Sequence, residues 1–463
     1  MTLLALLALQ SPVTIVVEGH RPASEAVVGT AAMKYLPFEV PKGVTSIDIV
    51  PEILDKEGDR DTVDLGLFDP RGTSAKGFRG WQGGTRRRAT ITGSFATTSP
   101  WALAGPLPAG RWNLAQYYLK GSSKGLDYRY TITFRFDGPK PPKVIPPVPP
   151  MPDPKGGPGW YVGDLHSHSL SSDGALSLVE LVKLHREAGY DFMASTEHNT
   201  PAAHWRLAET MRAVPGITLI PGTELTTPGG HTNLIGLRPD RWIDFRTDPG
   251  DGRLPKLFAE ARRQGAMIEI NHPSADCTSC TWKFPTEEWK DAHGIEVWNS
   301  AWDTADEKAL ALWDSMLRDG KRVYAYGGSD FHRSPAPLGP ATRVWSVSRR
   351  AKDLVAGLRG GHAVVTQGTT GPSVELEVVR GGQKGIPGDV LAKAGAIEVR
   401  INVKDGTGAV LTVHSRQGVE VTRTVDGRES RVVVPLEAHG FVRLELRTPS
   451  GQMLALTNPV FVP

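Results

Sequence analysis

The stretch GDLHSHSLSSDGAL, residues 163–176, follows an apolar run that begins at Trp160, and it places polar side chains where a strand is expected to end. His166 and His168 are separated by one residue, and Asp173 comes five positions after the second histidine. Imidazole and carboxylate groups are ligands for Zn, Mn and Fe, so this stretch could supply the first ligands of a metal site. A single H-x-H pair is weak evidence, because a chain with 13 histidines often contains one by chance.

The same pattern, an apolar run closed by polar residues, recurs up to about residue 368. These runs alternate with helical patterns such as SLVELVKLHREAGY, and their ends read STEHNT, GTEL, INHP and GGSDFH. Strands that alternate with helices at this spacing favour parallel βα units. With about seven such strands, the sequence predicts a closed or distorted α/β barrel of the TIM type, and a doubly wound open sheet is the competing fold.

Polar residues at the ends of parallel barrel strands would meet at one rim, because these strands all end on the same face. A strand that frays into a loop there lets both histidines of an H-x-H pair turn inward. We predict nine metal ligands, which are His166, His168, Asp173, His198, Glu224, His231, His272, Asp330 and His332. Nine ligands, some of them bridging, suit two or three divalent ions. His231 precedes its apolar run instead of following it, so its rim position is the least direct.

In chain order, the motifs DLHSHSLSSDG, STEHNT, GTEL with HTNLIGL, INHP and GGSDFH resemble those of the PHP (polymerase and histidinol phosphatase) superfamily. The upstream β-rich region with FDPRG and the proline spacer are similar to the CehA/McbA branch, which includes a carbaryl hydrolase. The resemblance implies a distorted (βα)7 barrel, a centre of two or three metals and, in most members, phosphoesterase activity. It places the ligands on the nine residues above, with Glu224 as the carboxylate that often bridges metals. Some members have histidine in place of Asp173.

Two β-rich regions flank the predicted barrel, so the fold class is multidomain. Residues 13–138 contain short runs rich in β-branched and aromatic residues, such as TSIDIVPEI and YRYTITFRF, and predict an N-terminal β-sandwich. Closely spaced prolines over 139–159 predict an extended linker without regular structure. The predicted barrel occupies 160–368, and alternating strands over 369–463 predict a small C-terminal β-sandwich.

Charge and the first residues bear on partners and location. A net charge of +3 without a basic stripe predicts no nucleic acid as a stable partner. Residues 1–12 form a possible signal segment, with an apolar run from Leu3 to Leu9 but no preceding Lys or Arg. We therefore expect export to the periplasm or the outside, with a cytoplasmic location and a buried first strand as alternatives. No other run approaches the roughly 20 apolar residues that cross a bilayer, so no transmembrane segment is predicted.

The chain has two cysteines, Cys277 and Cys280 in CTSC, a spacing that fits a small disulfide, a redox pair or half of a zinc knuckle. In an exported protein the disulfide is favoured over a pair of free thiols. Without a second pair, a four-cysteine zinc site is excluded.

The predicted function is that of a metal-dependent phosphoesterase, which cleaves phosphate mono- or diesters by a metal-activated hydroxide. The residues that would act through bound Zn, Mn or Fe are His166, His168, Glu224 and Asp330. Arg333 could clamp an anionic ester oxygen, and Glu197 could orient a ligand. Two alternatives stay open: hydrolysis of carboxylic or carbamic esters at the same centre, and a non-catalytic protein with a degenerate barrel that binds carbohydrate or a cell-surface partner through its β domains.

Other motifs give less support to function. In GGSDFH, Phe331 stands where the G-x-S-x-G nucleophile elbow needs its second glycine, which argues against a serine hydrolase. The sequence contains no P-loop and no convincing G-x-G-x-x-G unit for a nucleotide cofactor. Packing is the expected role of Glu296, Trp298 and Trp302, although they could line a substrate pocket. The run TRRRAT, residues 85–90, is expected to be a solvated β-hairpin rather than a phosphate contact.

Overall fold

The structure is a computed structural model, which describes residues 10–54, 62–84, 87–120, 123–277, 279–336, 338–437 and 440–463. The described part of the chain is rich in β-structure, with 26 strands and six α-helices. Most of the predicted signal segment, residues 1–9, lies outside the described residues, so export stays a prediction.

The N-terminal region consists of two four-stranded antiparallel sheets, ordered β1-β8-β3-β6 and β2-β7-β4-β5. Its strands are β1 Val13–Arg21, β2 Met33–Val40, β3 Ser46–Leu54, β4 Thr62–Phe68, β5 Phe78–Trp81, β6 Ala89–Thr92, β7 Gly110–Lys120 and β8 Leu126–Arg135. Alternate residues of a strand point to opposite faces, and in β8 Tyr130, Ile132 and Phe134 are buried between partly exposed neighbours. One core, which includes Ile47 from one sheet and Trp112 from the other, lies between the sheets.

The proline-rich segment links this region to the rest of the molecule. Residues 136–158, all of which are described, form neither helix nor strand, because prolines lack the amide donors that regular structure needs. The segment is nevertheless held in place, for example where Trp205 Nε1 donates a hydrogen bond to the carbonyl of Pro146 (2.7 Å) and where Arg350 Nε donates to Asp153 (2.8 Å).

The central region contains seven strands that are neighbours in chain order, β9 to β15. Its strands are β9 Gly159–Asp164, β10 Phe192–Ser195, β11 Thr218–Thr227, β12 Gly230–Ile235, β13 Met267–Ile270, β14 Gly294–Asn299, β15 Tyr324–Gly328, β16 Ala341–Ser346 and β17 Ala363–Thr366. Its helices are α1 Leu178–Glu187, α2 His204–Ala213, α3 Leu254–Arg263, α4 Thr286–Trp289, α5 Thr304–Arg318 and α6 Ala351–Arg359. The predicted alternation of strand and helix is present over most of this region.

The prediction of parallel strands throughout is wrong at β12. Strands β9 to β11 are parallel neighbours and so are β13 to β15, but β12 is antiparallel to both β11 and β13. The cause is local, because only Pro228 and Gly229 separate β11 from β12. So short a connection forms a hairpin, whereas parallel strands need a crossover of about a dozen residues. The central region is therefore a mixed sheet.

The two ends of this strand series meet just beyond β9 and β15. The amide of Asp330 donates to the carbonyl of His166 (2.8 Å), and the amide of His168 donates to the carbonyl of Phe331 (3.0 Å). Ser167 and Phe331 form a parallel bridge between these bonds. The H-x-H segment and the GGSDFH segment consequently lie side by side.

The C-terminal strands form one separate sheet and one extension of the central sheet. They are β18 Ser373–Arg380, β19 Gln383–Gly385, β20 Ile397–Lys404, β21 Val410–Ser415, β22 Gly418–Thr424, β23 Glu429–Leu436, β24 Gly440–Arg447, β25 Met453–Thr457 and β26 Val460–Val462. The separate sheet has the order β19-β18-β20-β23. The central sheet continues through β17, β25, β24, β21 and β22, and β26 pairs with β24. A common core that includes Val399 and Leu444 packs these strands together.

Aromatic side chains join the N-terminal region to the central region. Phe78 of β5 stacks on Trp242 with ring centroids 4.3 Å apart, and Trp81 meets Phe245 at 4.6 Å. These residues belong to one buried cluster that continues to Trp298 in β14. The two regions therefore share a hydrophobic core.

Two further expectations concern membrane spans and cysteines. Within the ranges that the structure describes, no helix has both the length and the apolar character required to cross a bilayer. Cys277 and Cys280, in the loop after β13, are joined by a disulfide with a Cα–Cα distance of 5.3 Å. This is the pairing that the sequence favoured.

Candidate metal centre

The structure brings all nine predicted ligands into one cluster, at the edge where several central strands end. His166, His168 and Asp173 follow β9, His198 follows β10, Glu224 lies in β11, His231 in β12, His272 follows β13, and Asp330 and His332 follow β15. The candidate groups that could each hold an ion are His168–Asp173–His198–His332, His166–His168–Asp330, His166–His272–Glu296 and Glu224–His231–His272. Within each group the donor atoms lie within 4.8 Å of one another. The groups share members, as expected where neighbouring ions share ligands.

Glu224 lies at the centre of the cluster and is fully buried. Five imidazole rings approach its carboxylate, at nitrogen-to-oxygen distances of 2.6 Å (His198), 3.0 Å (His231), 3.3 Å (His166), 3.5 Å (His272) and 3.7 Å (His168). Both carboxylate oxygens have imidazole neighbours, so the side chain has the surroundings of a ligand that bridges two ions. His231 joins the cluster although it precedes its apolar run, because the β11–β12 hairpin places it beside this carboxylate.

Asp330 and Asp173 supply two more carboxylates. Asp330 Oδ1 is 3.1 Å from His168 Nε2, and Asp173 Oδ1 is 3.3 Å from His332 Nε2 and 3.5 Å from His198 Nε2. Two ligands of one ion, each at about 2.1 Å from it, lie about 3.0–3.5 Å apart. The observed spacings therefore match those of shared ligands.

Glu296 is a member of the cluster that the sequence did not identify as a ligand. Its Oε1 is 3.0 Å from His166 Nδ1, and its Oε2 accepts a hydrogen bond from the amide of His272 (3.0 Å). The one available signal was its place in the apolar run GIEV, a strand of the same series. By contrast, Trp298 is buried and packs edge to face on Trp302 with ring centroids 5.1 Å apart, which agrees with a packing role.

Several buried imidazole nitrogens have no well-directed hydrogen bond, although carboxylate oxygens lie near some of them, and this indicates that the cluster fits metal ions. These atoms are His166 Nε2, both ring nitrogens of His168, His231 Nε2 and His272 Nδ1. A buried polar atom without a partner costs about 1–3 kcal/mol, so several of them at one point are unfavourable unless something binds them. Nitrogen and carboxylate oxygen donors of this kind suit Zn, Mn and Fe.

Electrostatic interactions differ between the histidines of the cluster. Burial, together with positive charge on His332 and His198, lowers the pKa of His168 to about 3. This ring is therefore neutral, as a metal ligand must be. At His198, burial opposes the charge, but the carboxylates of Glu224 and Asp173 raise its pKa to about 10. A metal that binds there has to displace a proton.

Glu197, predicted to orient a ligand, holds the segment that carries Asp173. Its carboxylate accepts hydrogen bonds from the amide of Ser169 (3.1 Å) and from the hydroxyl of Ser172 (2.6 Å). Ser172 is the residue before Asp173, so the contact fixes the backbone next to that carboxylate.

Asp164, at the end of β9, ties the strand to β15. It accepts hydrogen bonds from the amide of Ser329 (3.0 Å), from the amide of His166 (3.1 Å) and from His185 Nε2 (2.8 Å). The buried aspartate thereby sets the position of the H-x-H segment relative to Asp330. No sequence signal distinguished it from an ordinary strand residue.

Two candidate ligands have a left-handed backbone conformation, with φ of +26° at His272 and +48° at Asp330. Such a conformation costs a non-glycine residue about 1–3 kcal/mol and is found preferentially at functional sites. Arg333, the predicted clamp, lies exposed next to His332. Its position leaves the guanidinium accessible, and its role stays a prediction.

Comparisons with known proteins give partial likenesses, and no family model matches the chain. Over 108 residues the chain is 34% identical to a 5'-3' exoribonuclease from Haemophilus influenzae (strain ATCC 51907 / DSM 11121 / KW20 / Rd), a match that covers 23% of this chain and 35% of the exoribonuclease. The chain thus spans about a third of the length of this curated relative. A solved two-domain protein from Bacteroides vulgatus ATCC 8482, which contains a predicted PHP-like metal-dependent phosphoesterase, is 20% identical and covers 67% of this chain and 98% of its own, with a TM-score of 0.40.

Proposed function

We propose that this chain is a metal-dependent phosphoesterase of the PHP superfamily that hydrolyses phosphate mono- or diesters. The observation that carries the proposal is the convergence of nine side chains chosen from strand ends, joined by Glu296, around a shared space. A structural cluster of histidines would satisfy its ring nitrogens with hydrogen bonds, whereas several of these remain without one. The completeness of the ligand set favours catalysis over a degenerate barrel.

The proposed cofactor is two or three ions of Zn, Mn or Fe. When bound, such ions lower the pKa of a water molecule and neutralise charge on the oxygens of the ester. The chain's own contribution is positioning. Glu224 would fix the separation between two ions, while Asp173 with His198 and His332 would offer a further set of donors.

Phosphate esters are the proposed substrates because the site combines cations with an accessible guanidinium. Arg333, exposed beside His332, would contact a non-bridging oxygen of the ester. The exoribonuclease that part of the chain resembles takes its name from cleavage of RNA, a phosphodiester, which supports diesters among the substrates. A net charge of +3 without a basic stripe argues for small esters rather than a stably bound nucleic acid.

The proposed architecture is a distorted (βα)7 barrel with one reversed strand, β12, between an N-terminal and a C-terminal β domain. Support comes from the consecutive order of β9 to β15 and from the bridge between Ser167 and Phe331 that joins the ends of the series. We further propose membership of the CehA/McbA-like branch and export from the cytoplasm, on the sequence features given above.

The experiment that tests the function combines metal analysis with a substrate panel. We expect purified protein to contain more than one equivalent of Zn, Mn or Fe, measured by inductively coupled plasma mass spectrometry. With added Mn or Zn it should hydrolyse p-nitrophenyl phosphate or bis(p-nitrophenyl) phosphate, followed by absorbance, and short oligoribonucleotides serve as natural diesters. The metal-stripped protein is the control and should be inactive until metal is restored.

Two outcomes would replace the proposal. Cleavage of p-nitrophenyl carboxylic or carbamic esters, with no turnover of any phosphate, would assign the centre to the alternative ester class. Protein that holds no metal and hydrolyses nothing in the panel would instead support a binding role for the β domains.

A further inference from the structure

The N-terminal region reaches the metal centre through Arg87. Its guanidinium donates hydrogen bonds to three successive backbone carbonyls, those of Ser172 (3.1 Å), Asp173 (3.4 Å) and Gly174 (2.7 Å). These residues lie in the loop between β9 and α1, at the candidate ligand Asp173. Arg87 belongs to the run TRRRAT, of which residues 85 and 86 lie outside the described residues. Arg87 is thus not the solvated hairpin residue that the sequence predicted.

Gly83 makes a second contact from the same region. A Cβ built at this position would lie 3.6 Å from Asp173 Cβ and 3.7 Å from His198 Cδ2. Two candidate ligands therefore have the backbone of the N-terminal region as their direct neighbour. With φ of +68°, this position also favours glycine on conformational grounds.

Asp64 in β4 is a third residue of the N-terminal region on this side of the cluster, next to Gly84. It is buried, and a Cβ built at Gly84 would lie 3.7 Å from its Oδ1. Burial raises the pKa of Asp64 to about 7, and positive charge on His198 opposes that rise. Asp64 is therefore a buried acidic group beside the Gly83–Gly84 backbone, part of which contacts the cluster.

We propose that the N-terminal region is a structural part of the metal centre, and that Arg87 is a positioning residue for Asp173. The inference rests on the proposed function, because it takes Asp173 to be a metal ligand together with His168, His198 and His332. Glu197 holds the loop from the central region, through Ser172. Arg87 holds the backbone carbonyls of the same segment from the N-terminal region.

Arginine is suited to this task because its planar guanidinium presents five N–H donors in a fixed arrangement. One side chain can therefore hold three consecutive peptide units. Without it, the segment around Asp173 would lose these three hydrogen bonds, and the ion bound by its group would lose a well-placed carboxylate. The candidate groups that contain Glu224, Glu296 and Asp330 do not include Asp173.

The test is a titration of the full-length, metal-stripped protein with Mn²⁺, followed by calorimetry and by electron paramagnetic resonance of free Mn²⁺. Arg87→Ala should weaken the binding of one equivalent by about 10- to 100-fold, the usual effect of losing a group that orients a ligand, and leave the other equivalents unchanged. Arg87→Lys keeps the positive charge but cannot reach all three carbonyls. It should therefore weaken the same equivalent, but less than Arg87→Ala does. Millimolar guanidinium should restore binding to Arg87→Ala.

Arg206→Ala is the matched control. Arg206 also crosses between the two regions and donates to backbone carbonyls, those of Phe95 (2.9 Å) and Thr98 (3.0 Å), but it does not contact the Asp173 loop. Its removal should leave every Mn²⁺ equivalent unchanged. Thermal unfolding of all variants verifies folding, and Arg87→Lys decides the question if Arg87→Ala does not fold.

Three results would overturn the inference. Wild-type affinities in both Arg87 variants would show that the loop needs no support from the N-terminal region. Equal weakening in Arg206→Ala would show that only the contact between regions matters. A wild-type protein that binds no Mn²⁺ would overturn the proposed function as well, which separates the two failures.

Discussion

Glu296 and Glu269 are buried carboxyl groups on the neighbouring strands β14 and β13, and their contacts differ. Glu296 faces His166 and accepts a hydrogen bond from the amide of His272. Neither oxygen of Glu269 has a hydrogen bond. Burial, and then the negative charge of Glu296, raise the pKa of Glu269 well above its usual value. The protonated form of Glu269 is therefore favoured, and among the described residues Glu269 belongs to none of the candidate metal groups.

This difference makes a matched pair of isosteric variants informative. Glu296→Gln replaces a carboxylate oxygen that faces His166, so we expect metal affinity to fall by about 10- to 100-fold and phosphatase activity to fall with it. Glu269→Gln puts a neutral amide in place of a carboxyl group whose protonated form is favoured, so it should leave both quantities, and the unfolding temperature, unchanged. Metal titration and a p-nitrophenyl phosphate assay measure the effects. If Glu296→Gln, like Glu269→Gln, keeps its metal affinity and activity, Glu296 is a packing residue.

The sequence predicted the positions of the central strands better than their directions and pairings. The positions of most central strands followed from apolar runs, because a strand buried on both faces has a continuous apolar sequence. The direction of β12 did not follow, although the connection through Pro228 and Gly229 is too short for a parallel crossover. The continuation of the central sheet from β17 into β25 was also missed. That pairing joins residues far apart in the chain, and no local pattern encodes it.

His293 connects two central strands and gives them a dependence on pH. Its Nδ1 accepts a hydrogen bond from the amide of Ile268 in β13 (3.0 Å), and its own amide donates to the carbonyl of the same residue (2.9 Å). Burial, with smaller effects from Arg262 and Arg359, lowers the pKa of His293 to about 4. The folded protein thus keeps this ring neutral, whereas the unfolded chain takes up a proton near the ordinary value of about 6.5.

Proton uptake by His293 in the unfolded chain lowers the stability of the fold as the pH falls. Stability from His293 is fully present above about pH 6.5 and falls as the pH drops towards 4, because only the unfolded state is protonated in this window. At pH 5 the loss is about 2 kcal/mol, from 1.36 kcal/mol per pKa unit. Between pH 7.5 and pH 5, the free energy of unfolding of His293→Gln, measured with urea, should therefore fall by about 2 kcal/mol less than that of the wild type. The exposed His20→Gln is the control, and an unchanged pH dependence in His293→Gln would contradict the assignment.

At the scale of the whole molecule, the candidate site has a local part and a long-range part. Most of the nine predicted residues could be grouped from the sequence because they come where apolar strand runs end, and parallel strands bring their ends together. His231, near the start of the antiparallel strand β12, joined the prediction through its motif HTNLIGL. Arg87 and Gly83 could not be found in this way. Their contact with the Asp173 loop depends on how the N-terminal region packs, and that packing depends on pairs such as Phe78 with Trp242. The aromatic residues have no pattern that distinguishes an interface from a domain core.

The shared core predicts that the proline linker is not what holds the two regions together. A protease site inserted between Gly157 and Pro158 lies in exposed, irregular chain, where cleavage should be tolerated. We expect the two fragments to remain associated in size-exclusion chromatography at micromolar concentration and to keep their metal, because Phe78 stacks on Trp242 and Thr30 donates to Asp248 across the contact.

Trp242→Ala tests the same contact. Loss of a buried tryptophan costs about 3–5 kcal/mol, which corresponds to an affinity weaker by about two to four orders of magnitude. The cleaved fragments of this variant should separate under conditions in which the cleaved wild type stays together. If the wild-type fragments separate at once, the aromatic contact is too weak to keep Arg87 and Gly83 of the N-terminal region against Asp173. The covalent linker would then have to supply the effective concentration that keeps the N-terminal region in contact with Asp173.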